Sequence, residues 1–205
     1  MTSAFASTHN ENIRARSANA QTIAGLDEVG RGAISGPLVV GCFVRDINSK
    51  MPKVKDSKLV SPKQRRKLLP EIFSCARMWS IGVVEADDIT LYGMTWALRE
   101  AFNQALSKLP SAPDIVLYDG RPQILNHPNS YPIINGDTTH ATIAAASIIA
   151  KVIRDLFMDA LAEDYPEYFF NAHKGYGTLL HKKALLAHGS IDGIHRQKFV
   201  KTFLT

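Results

Sequence analysis

Residues 23–44 read IAGLDEVGRGAISGPLVVGCFV, and the interpretation of the whole chain begins from this stretch. It opens with an apolar run that is typical of a buried strand, and two acids, Asp27 and Glu28, follow directly. Two carboxylates at the end of a hydrophobic strand are costly to bury unless a positive charge meets them. A divalent metal ion supplies that charge, because hard cations bind carboxylate oxygens. The stretch therefore predicts a metal site at the end of a strand.

The glycines that follow the two acids predict a close approach of the backbone to a ligand. Gly30 and Gly32 flank Arg31, whose guanidinium can bind a phosphate. The spacing of Gly30, Gly32 and Gly36 does not give GxGxxG, and no GK[ST] follows, so neither nucleotide-binding fingerprint is met. A nucleotide-binding α/β protein that uses this glycine loop stays open as an alternative hypothesis, and tight binding of ATP or NAD would support it.

Asp27 and Glu28 raise a geometric question, since consecutive residues of a regular strand point to opposite faces. Both side chains reach one metal site only if the strand ends or bulges at this point, or if Glu28 contributes differently from Asp27. The glycines just downstream make a break in the strand plausible, and both solutions stay open.

Composition indicates one ordinary globular domain. Of the 205 residues, 45% are hydrophobic and 21% are charged, and the formal net charge of +5 permits a polyanionic partner. Cys42 and Cys75 lie in apolar surroundings outside any CxxC pattern, so we expect both to be reduced and the protein to be cytoplasmic. No apolar run approaches the ~20 residues of a membrane helix, so no membrane partner is expected. Nothing suggests an obligate dimer, and we expect a monomer.

Residues 1–22 differ in composition from the rest of the chain. They are rich in Ser, Ala and Asn, and they lack an apolar core stretch. We therefore expect a flexible N-terminal tail over residues 1–22 and a single catalytic domain over residues 23–205. A transit peptide is the weaker alternative, because Glu11 and the lack of an amphipathic stripe count against it.

Strand-like and helix-like patterns alternate along the remaining chain, which favours an α/β layer structure. Ser61, Pro62 and Gln64 form a capping-box pattern that marks the start of a helix. The patterns predict strands at residues 39–44, 79–83, 115–118 and 132–134, a polar turn at 86–90, and helices over about 61–76, 92–109 and 142–164.

Three of the strands or strand-like runs end in acids: Asp27 with Glu28, then Asp119, then Asp137. Ligands in open α/β sheets bind outside the strand ends, so these four carboxylates can converge. That number suits two divalent ions ~3.5–4 Å apart, an arrangement that many nucleases use. No Cys or His cluster has zinc spacing, which favours Mg²⁺ or Mn²⁺.

Six motifs, in order along the chain, resemble those of ribonuclease HII, and the similarity extends from about residue 24 to residue 199. Arg31 in the glycine motif and the short chain favour this family over the related ribonuclease HIII. The motifs are LDEVGRG with SGPLVV, DSK at 56–58, DG at 119–120, GD at 136–137, AASIIAKVIRD at 145–155 and HKGYGT at 173–178.

This resemblance implies an RNase H-like fold, with a mixed central β-sheet flanked by helices and a C-terminal helical segment. It implies a metal-dependent endoribonuclease that cleaves the RNA strand of RNA–DNA hybrids. It also implies incision on the 5′ side of single ribonucleotides embedded in duplex DNA, with two Mg²⁺ or Mn²⁺ ions and products that end in 3′-OH and 5′-phosphate. Such an activity serves ribonucleotide excision during DNA replication and repair.

The resemblance also assigns roles to individual residues. It implies that Asp27, Glu28, Asp119 and Asp137 bind the metal ions and that Gly30, Arg31 and Gly32 hold the phosphate of the ribonucleotide and read its 2′-hydroxyl. Tyr176 would lie against the sugar at the RNA–DNA junction, and Lys58 is a candidate phosphate contact. After the DSK motif the chain reads Leu59-Val60-Ser61, where the family usually has a second lysine.

Other interpretations assign no catalytic role to the chain or to individual residues. A catalytically silent module that binds RNA–DNA hybrids on the same fold is the second hypothesis, although the intact set of acids favours an enzyme. Lys151 and Asp155 are four residues apart and are interpreted as an intrahelix pair. We interpret Lys151 and Arg154 as surface pairs rather than phosphate contacts, and His173 and His195 as structural or close to a phosphate.

Overall fold

The computed structural model describes residues 5–54, 60–121, 125 and 127–205. Within them, the strands are β1 (Thr22–Val29), β2 (Leu38–Asp46), β3 (Met78–Val84), β4 (Ile115–Asp119) and β5 (Ser130–Ile133). The α-helices are α1 (His9–Ser17), α2 (Pro62–Cys75), α3 (Ala86–Tyr92), α4 (Met94–Ser107), α5 (Gly136–Thr139), α6 (Ala141–Asp164), α7 (Phe170–His173), α8 (Leu179–His188) and α9 (Gln197–Leu204). A short 3-10 helix, Pro166–Tyr168, precedes α7.

The strands form one mixed sheet in the order β3-β2-β1-β4-β5. β2 is antiparallel to both β1 and β3, whereas β1, β4 and β5 are parallel to one another. The predicted mixed sheet with flanking helices is therefore confirmed. Because the three parallel strands run in the same direction, their carboxyl ends, and the acids at or just beyond these ends, lie at one edge of the sheet.

Helix α6 lies directly on β1 and β2. A Cβ atom added to Gly25 would stand 2.2 Å from the carbonyl carbon of Thr142, and one added to Gly41 would stand 2.3 Å from the carbonyl oxygen of Ala146. The glycines of the strands and the small residues of α6 thus allow a close approach. On the other face, Ala24 and Leu26 pack in the cluster that contains Phe102 of α4. These contacts fix β1 between two layers of helices.

Strand β1 continues through both acids without a bulge. Asp27 pairs with Gly41 and Glu28 pairs with Val40 in a regular antiparallel register that ends at Val29. The break in the strand that the downstream glycines suggested is therefore not found here. The turn comes at Gly30, with φ at +99°. Asp27 and Glu28 accordingly point to opposite faces of the sheet.

The helix predictions are confirmed where the signal is local. The Ser61 side chain accepts a hydrogen bond from the Gln64 amide at 3.3 Å, and the Gln64 side chain accepts one from the Ser61 amide at 3.0 Å. The polar turn expected at residues 86–90 is wrong, because α3 occupies this segment. Its two aspartates lie in the first turn, where the helix dipole favours negative charge, and Ile89 is buried.

The N-terminal segment is an ordered part of the fold over α1, which differs from the expected flexible tail. Glu11 is buried and accepts hydrogen bonds from the Ala141 amide and the Thr142 hydroxyl, both at 2.8 Å. Arg45 Nη2 lies 3.6 Å from Glu11 Oε2, and both side chains are fully buried. Glu11 therefore caps the N-terminus of α6 from a distant part of the chain. None of the described helices is long and apolar enough to cross a membrane.

Candidate active site

The shared edge of the three parallel strands brings the predicted acids together. Leu26 pairs with Tyr118, so Asp27 and Asp119 occupy equivalent positions one residue further along β1 and β4. Asp137 lies in α5, which follows β5. The Gly136 amide donates a 2.8 Å hydrogen bond to Asp119 Oδ1 and so ties the start of α5 to the end of β4. Strand direction and this hydrogen bond thus bring Asp27, Asp119 and Asp137 to the same edge of the sheet.

Asp27 shows the electrostatic cost of this arrangement. It is buried, and its Oδ1 accepts a 2.8 Å hydrogen bond from the Glu28 amide. Burial raises the pKa of Asp27 well above its usual range, and the negative charges of Glu28, Asp119 and Asp137 raise it further, while a hydrogen bond with Ser147 opposes the shift. A bound cation would relieve both effects. The donors here are carboxylate oxygens, which fit a hard divalent ion.

Glu28 takes a different position from the other acids. It points to the face of the sheet opposite to that of Asp27, and its Oε1 lies 3.7 Å from Nη1 of Arg31. No group of three or more His, Cys, Asp and Glu side chains in the described part of the chain is arranged to hold a metal ion. The four acids therefore lie at one edge without closing around a common point, and Glu28 takes a different position from Asp27.

A cavity of about 230 Å³ opens at this edge. It brings together most of the residues that the sequence selected, whereas Asp119 and Asp137 lie beside it within electrostatic reach of Asp27. Lys58, the predicted phosphate contact, lies outside the described residues. The lining is formed by Asp27, Glu28, Val29, Gly30, Arg31, Gly32, Ser147, Lys151 and Tyr176.

Two buried arginines hold the glycine loop, residues 30–37, in place. Arg196 donates hydrogen bonds to the carbonyl oxygens of Gly30 at 2.7 Å, Ala33 at 2.9 Å and Gly36 at 2.9 Å. A Cβ atom added to Gly32 would meet no heavy atom within 4 Å, so the loop borders open space at this position. The backbone of the loop is thus fixed beside the cavity, with room for a ligand to approach it.

Arg154 is the second of these arginines, and it joins the loop to the turn that carries Tyr176. It donates to the carbonyl oxygens of Pro37 at 2.9 Å, Ser35 at 3.1 Å and Lys174 at 2.8 Å. Its guanidinium carbon lies 5.4 Å from the centre of the Tyr176 ring. The interpretation of Arg154 as a surface residue is therefore wrong, because its side chain is fully buried and its partners are backbone carbonyls of distant segments.

Lys151 also differs from its predicted surface position, because it lines the cavity. The intrahelix pair with Asp155 is confirmed. Asp155 is itself buried, and its Oδ2 lies 3.2 Å from Arg65 Nη2 of α2. Burial lowers the pKa of Lys151, although Asp155 opposes the shift. Arg65 donates to the carbonyl oxygen of Val60 at 2.8 Å, so this network connects the cavity to the chain just after the DSK motif.

The mixed five-stranded sheet flanked by helices, with acids at the shared edge of its parallel strands, defines an α/β domain of the RNase H-like fold. Ribonuclease H2 from Pyrococcus horikoshii superposes with a TM-score of 0.73 at 26% identity, over 89% of this chain and 97% of that chain. RNase HII of Archaeoglobus fulgidus, solved as a complex with PCNA, gives 0.70 at 25% identity, over 86% of this chain and 94% of that chain. Bst-RNase HIII in complex with Mn²⁺ shares the fold, with a TM-score of 0.66 at 16% identity, over 90% of this chain and 70% of that chain.

Sequence relationships identify the family. The ribonuclease HII family model matches residues 24–202. The chain is 42% identical over 179 residues to ribonuclease HII of Lactobacillus gasseri, which covers 87% of this chain and 71% of that protein. It is 40% identical over 181 residues to ribonuclease HII of Synechococcus sp. WH7803, and the match covers 86% of this chain and 93% of that protein. The chain belongs to the ribonuclease HII family and is thus an endoribonuclease that acts on RNA–DNA hybrids.

Proposed function

We propose that this ribonuclease incises duplex DNA on the 5′ side of a single embedded ribonucleotide, leaving a 3′-hydroxyl and a 5′-phosphate. The observation that carries the proposal is the glycine loop, whose backbone is fixed by Arg196 and borders open space at Gly32. A 2′-hydroxyl is what distinguishes RNA from DNA at one position, and backbone groups can read it only at close range. Gly30, Arg31 and Gly32 provide that approach.

Asp27, Glu28, Asp119 and Asp137 would hold two divalent ions, Mg²⁺ or Mn²⁺. When bound, such ions activate water and stabilise the leaving oxygen of a phosphodiester. The role of the acids in the proposal is to concentrate negative charge at one edge of the sheet. The raised pKa of Asp27 supports it, since the charges of the other three acids all contribute to the shift.

Tyr176 and Lys151, which also line the cavity, complete the substrate contacts. The Tyr176 ring offers a flat surface to the sugar at the RNA–DNA junction and a hydroxyl for a hydrogen bond. Lys151 offers its ammonium group to a phosphate, with Asp155 limiting its orientations. Lys58 stays a predicted phosphate contact from the sequence. These cations add contacts that do not depend on base sequence.

The test is incubation of the protein with a labelled DNA duplex that contains one ribonucleotide, in Mg²⁺, in Mn²⁺ or in EDTA. An all-DNA duplex and an RNA–DNA hybrid serve as parallel substrates. A metal-dependent nick on the 5′ side of the lone ribonucleotide is the expected result. Cleavage of the hybrid alone would support ribonuclease activity but reject the proposed roles of Arg31 and Tyr176 in reading the junction. Binding of all substrates without cleavage would favour the silent module.

A further inference from the structure

Three histidines, His173, His181 and His195, form a buried cluster behind the turn that carries Tyr176. His181 and His195 are fully buried and His173 is 8% exposed. The rings of His173 and His181 stack with centroids 4.1 Å apart. Tyr168 and Phe170 pack around His195 with ring centroids 5.2 and 5.7 Å away. The cluster contacts the backbone of Tyr176 through His181.

The hydrogen bonds of the cluster determine where each proton lies. The Ile191 amide donates to His195 Nδ1 at 2.9 Å, so the proton of a neutral His195 lies on Nε2. His195 Nε2 is 3.2 Å from His181 Nε2, which must then accept. The remaining proton of His181 lies on Nδ1, which is 3.0 Å from the carbonyl oxygen of Tyr176. A single direction of donation therefore runs from Ile191 through His195 and His181 to Tyr176.

This series of hydrogen bonds is complete only when both histidines are neutral. A proton added to Nε2 of His181 would face the N–H of His195, and one added to Nδ1 of His195 would face the Ile191 amide. Burial lowers the pKa of each of these two histidines to about 4, so both stay neutral near pH 7. The arrangement therefore supplies a directed contact to the Tyr176 carbonyl without placing a charge near the site.

The contact from His181 is one of several that fix the turn beside the cavity. The Thr178 amide also donates to the Tyr176 carbonyl, at 2.9 Å. The Ile34 amide donates to the Gly175 carbonyl at 2.9 Å, and Tyr176 pairs with Ala33 in an isolated bridge. The glycine loop thus holds the turn from one side and His181 holds it from the other. The phenol ring between them faces the cavity.

We propose that His195 and His181 are positioning residues that orient Tyr176 against the sugar at the RNA–DNA junction through a neutral hydrogen-bond relay. The proposal rests on the substrate role of Tyr176 given above, and it adds two residues that never touch the substrate. Its consequence is that selectivity for a single ribonucleotide depends on hydrogen-bond geometry at the back of the turn.

A pair of matched substitutions at His181 tests the relay. In His181→Asn the side-chain amide can take the place of Nδ1 and still donate to the Tyr176 carbonyl, whereas His181→Gln places its amide near His195 and removes that donor. We expect His181→Gln to lower kcat/KM about tenfold on the single-ribonucleotide duplex and about twofold on the RNA–DNA hybrid. We expect His181→Asn to stay within about threefold of the unsubstituted protein on both substrates. His188→Gln, an exposed position of the same helix, is the control and should change neither value.

A double-mutant cycle with Tyr176→Ala shows whether His181 acts through Tyr176. If it does, His181→Gln should lower kcat/KM by less than about twofold in the Tyr176→Ala background. Equal losses for Asn and Gln, equal losses on both substrates, or additive losses in the cycle would each overturn the relay. Thermal unfolding of every variant accompanies the kinetics. If His181→Gln does not fold, His195→Asn replaces it, since Asn keeps an acceptor for the Ile191 amide and removes the donor to His181.

Failure of the proposed function would give a different result. In that case the unsubstituted protein would cleave the hybrid and leave the single-ribonucleotide duplex intact. The cycle would then be measured on the hybrid, where coupling between His181 and Tyr176 would still support the relay and additivity would still reject it.

Discussion

The acid edge and the recognition wall of the cavity are built in opposite ways. The acid edge is the set Asp27, Glu28, Asp119 and Asp137, where burial and then the charges of the other three acids raise the pKa of Asp27 well above its usual range. The recognition wall consists of the glycine loop and the 173–176 turn, where Arg154 and Arg196 donate to backbone carbonyls. The edge requires a ligand to balance its charge, whereas the wall is fixed in advance. Chemistry and selectivity should therefore respond differently to substitution.

The largest expected effect is at the acid edge. Asp27→Asn should lower kcat on an RNA–DNA hybrid by at least roughly a thousandfold, or about 4 kcal/mol, because it removes a carboxylate of the proposed metal site. Hybrid binding, measured by fluorescence anisotropy, should persist. Asp164→Asn, at an exposed position at the end of α6, is the matched control and should keep full activity. Retention of full activity by Asp27→Asn would remove this residue from the metal set.

The same substitution should stabilise the metal-free protein. The pKa of Asp27 is raised on folding, so the folded state holds the proton more tightly than the unfolded chain does. Stability is therefore lost as the pH rises above the usual pKa of an aspartate. At pH 7 the variant lacks this cost, and its melting temperature in EDTA should exceed that of the unsubstituted protein. A lower melting temperature would contradict the electrostatic description of the edge.

The second largest expected effect is at the recognition wall, where we expect a substitution to lower the free energy of unfolding. Arg196→Met should lower the free energy of unfolding by about 2–4 kcal/mol, because several buried carbonyls lose a charged donor. Arg196→Lys should recover little, since an ammonium group cannot reach the carbonyls of Gly30, Ala33 and Gly36 as a planar guanidinium does. Urea unfolding measures both. Lys198→Met, exposed on α9, is the control, and an equally small effect of Arg196→Met would show that the loop does not need its arginine.

Substitution of Arg31 should change the selectivity between substrates without changing the stability of the protein. Its side chain is 63% exposed and approaches Glu28 at 3.7 Å, a contact that contributes little to folding. Arg31→Ala should leave the free energy of unfolding within about 0.5 kcal/mol. The kcat/KM ratio between the single-ribonucleotide duplex and the hybrid should fall about tenfold, the loss of one good charged contact. An unchanged ratio in a folded variant would exclude Arg31 from reading the junction.

The sequence predicted helix starts and strand ends correctly where the pattern depends on residues that are close together along the chain. The capping box at Ser61 and Gln64 is such a case, and so are the acids that end parallel strands, because strand direction brings them to one edge. No sequence pattern predicts that Glu11 caps α6, or that Arg154 and Arg196 are buried. Their partners are backbone groups up to 166 residues away, and backbone carbonyls have no residue-type pattern.

The question of Asp27 and Glu28 shows the same limit in one place. The regular register of β1 puts their side chains on opposite faces, and neither composition nor spacing distinguishes this strand from one with a bulge. Pairing with β2 decides the matter, because eight consecutive residue pairs leave no extra residue on either strand. Long-range pairing of this kind is visible only in the folded chain.

Lys151 lines the same cavity as Asp27 and Tyr176, and the effect of its substitution should be smaller. Lys151→Met should raise KM on the hybrid about threefold to tenfold with kcat nearly unchanged, because one phosphate contact is lost. The slope of log KM against log salt should become shallower by about 0.9, the value for one phosphate contact. Lys183→Met, an exposed lysine of α8, should change the slope less. A fall in kcat without a change in the salt slope would instead place Lys151 at the chemical step.

The smallest expected effect is the contribution of the histidine relay to acid sensitivity. The pKa of His181 and of His195 is lowered to about 4 in the folded protein, with the stacked His173 contributing to both shifts. The unfolded chain therefore gains protons as the pH falls below about 6.5, whereas the folded protein does so only near pH 4, so stability decreases across this interval. Asp27 acts in the opposite direction, because its raised pKa favours folding at low pH.

A comparison of variants isolates the histidines from the carboxylates. Between pH 7 and pH 4.5, the melting temperature of His181→Asn should fall by roughly 3–6 °C less than that of the unsubstituted protein, since 1 kcal/mol corresponds to about 2–4 °C at this chain length. His188→Gln, at an exposed position of the same helix, is the control and should show the full decrease. An identical decrease in all three proteins would mean that His181 is not held neutral, and the recognition wall would then depend on charge as the acid edge does.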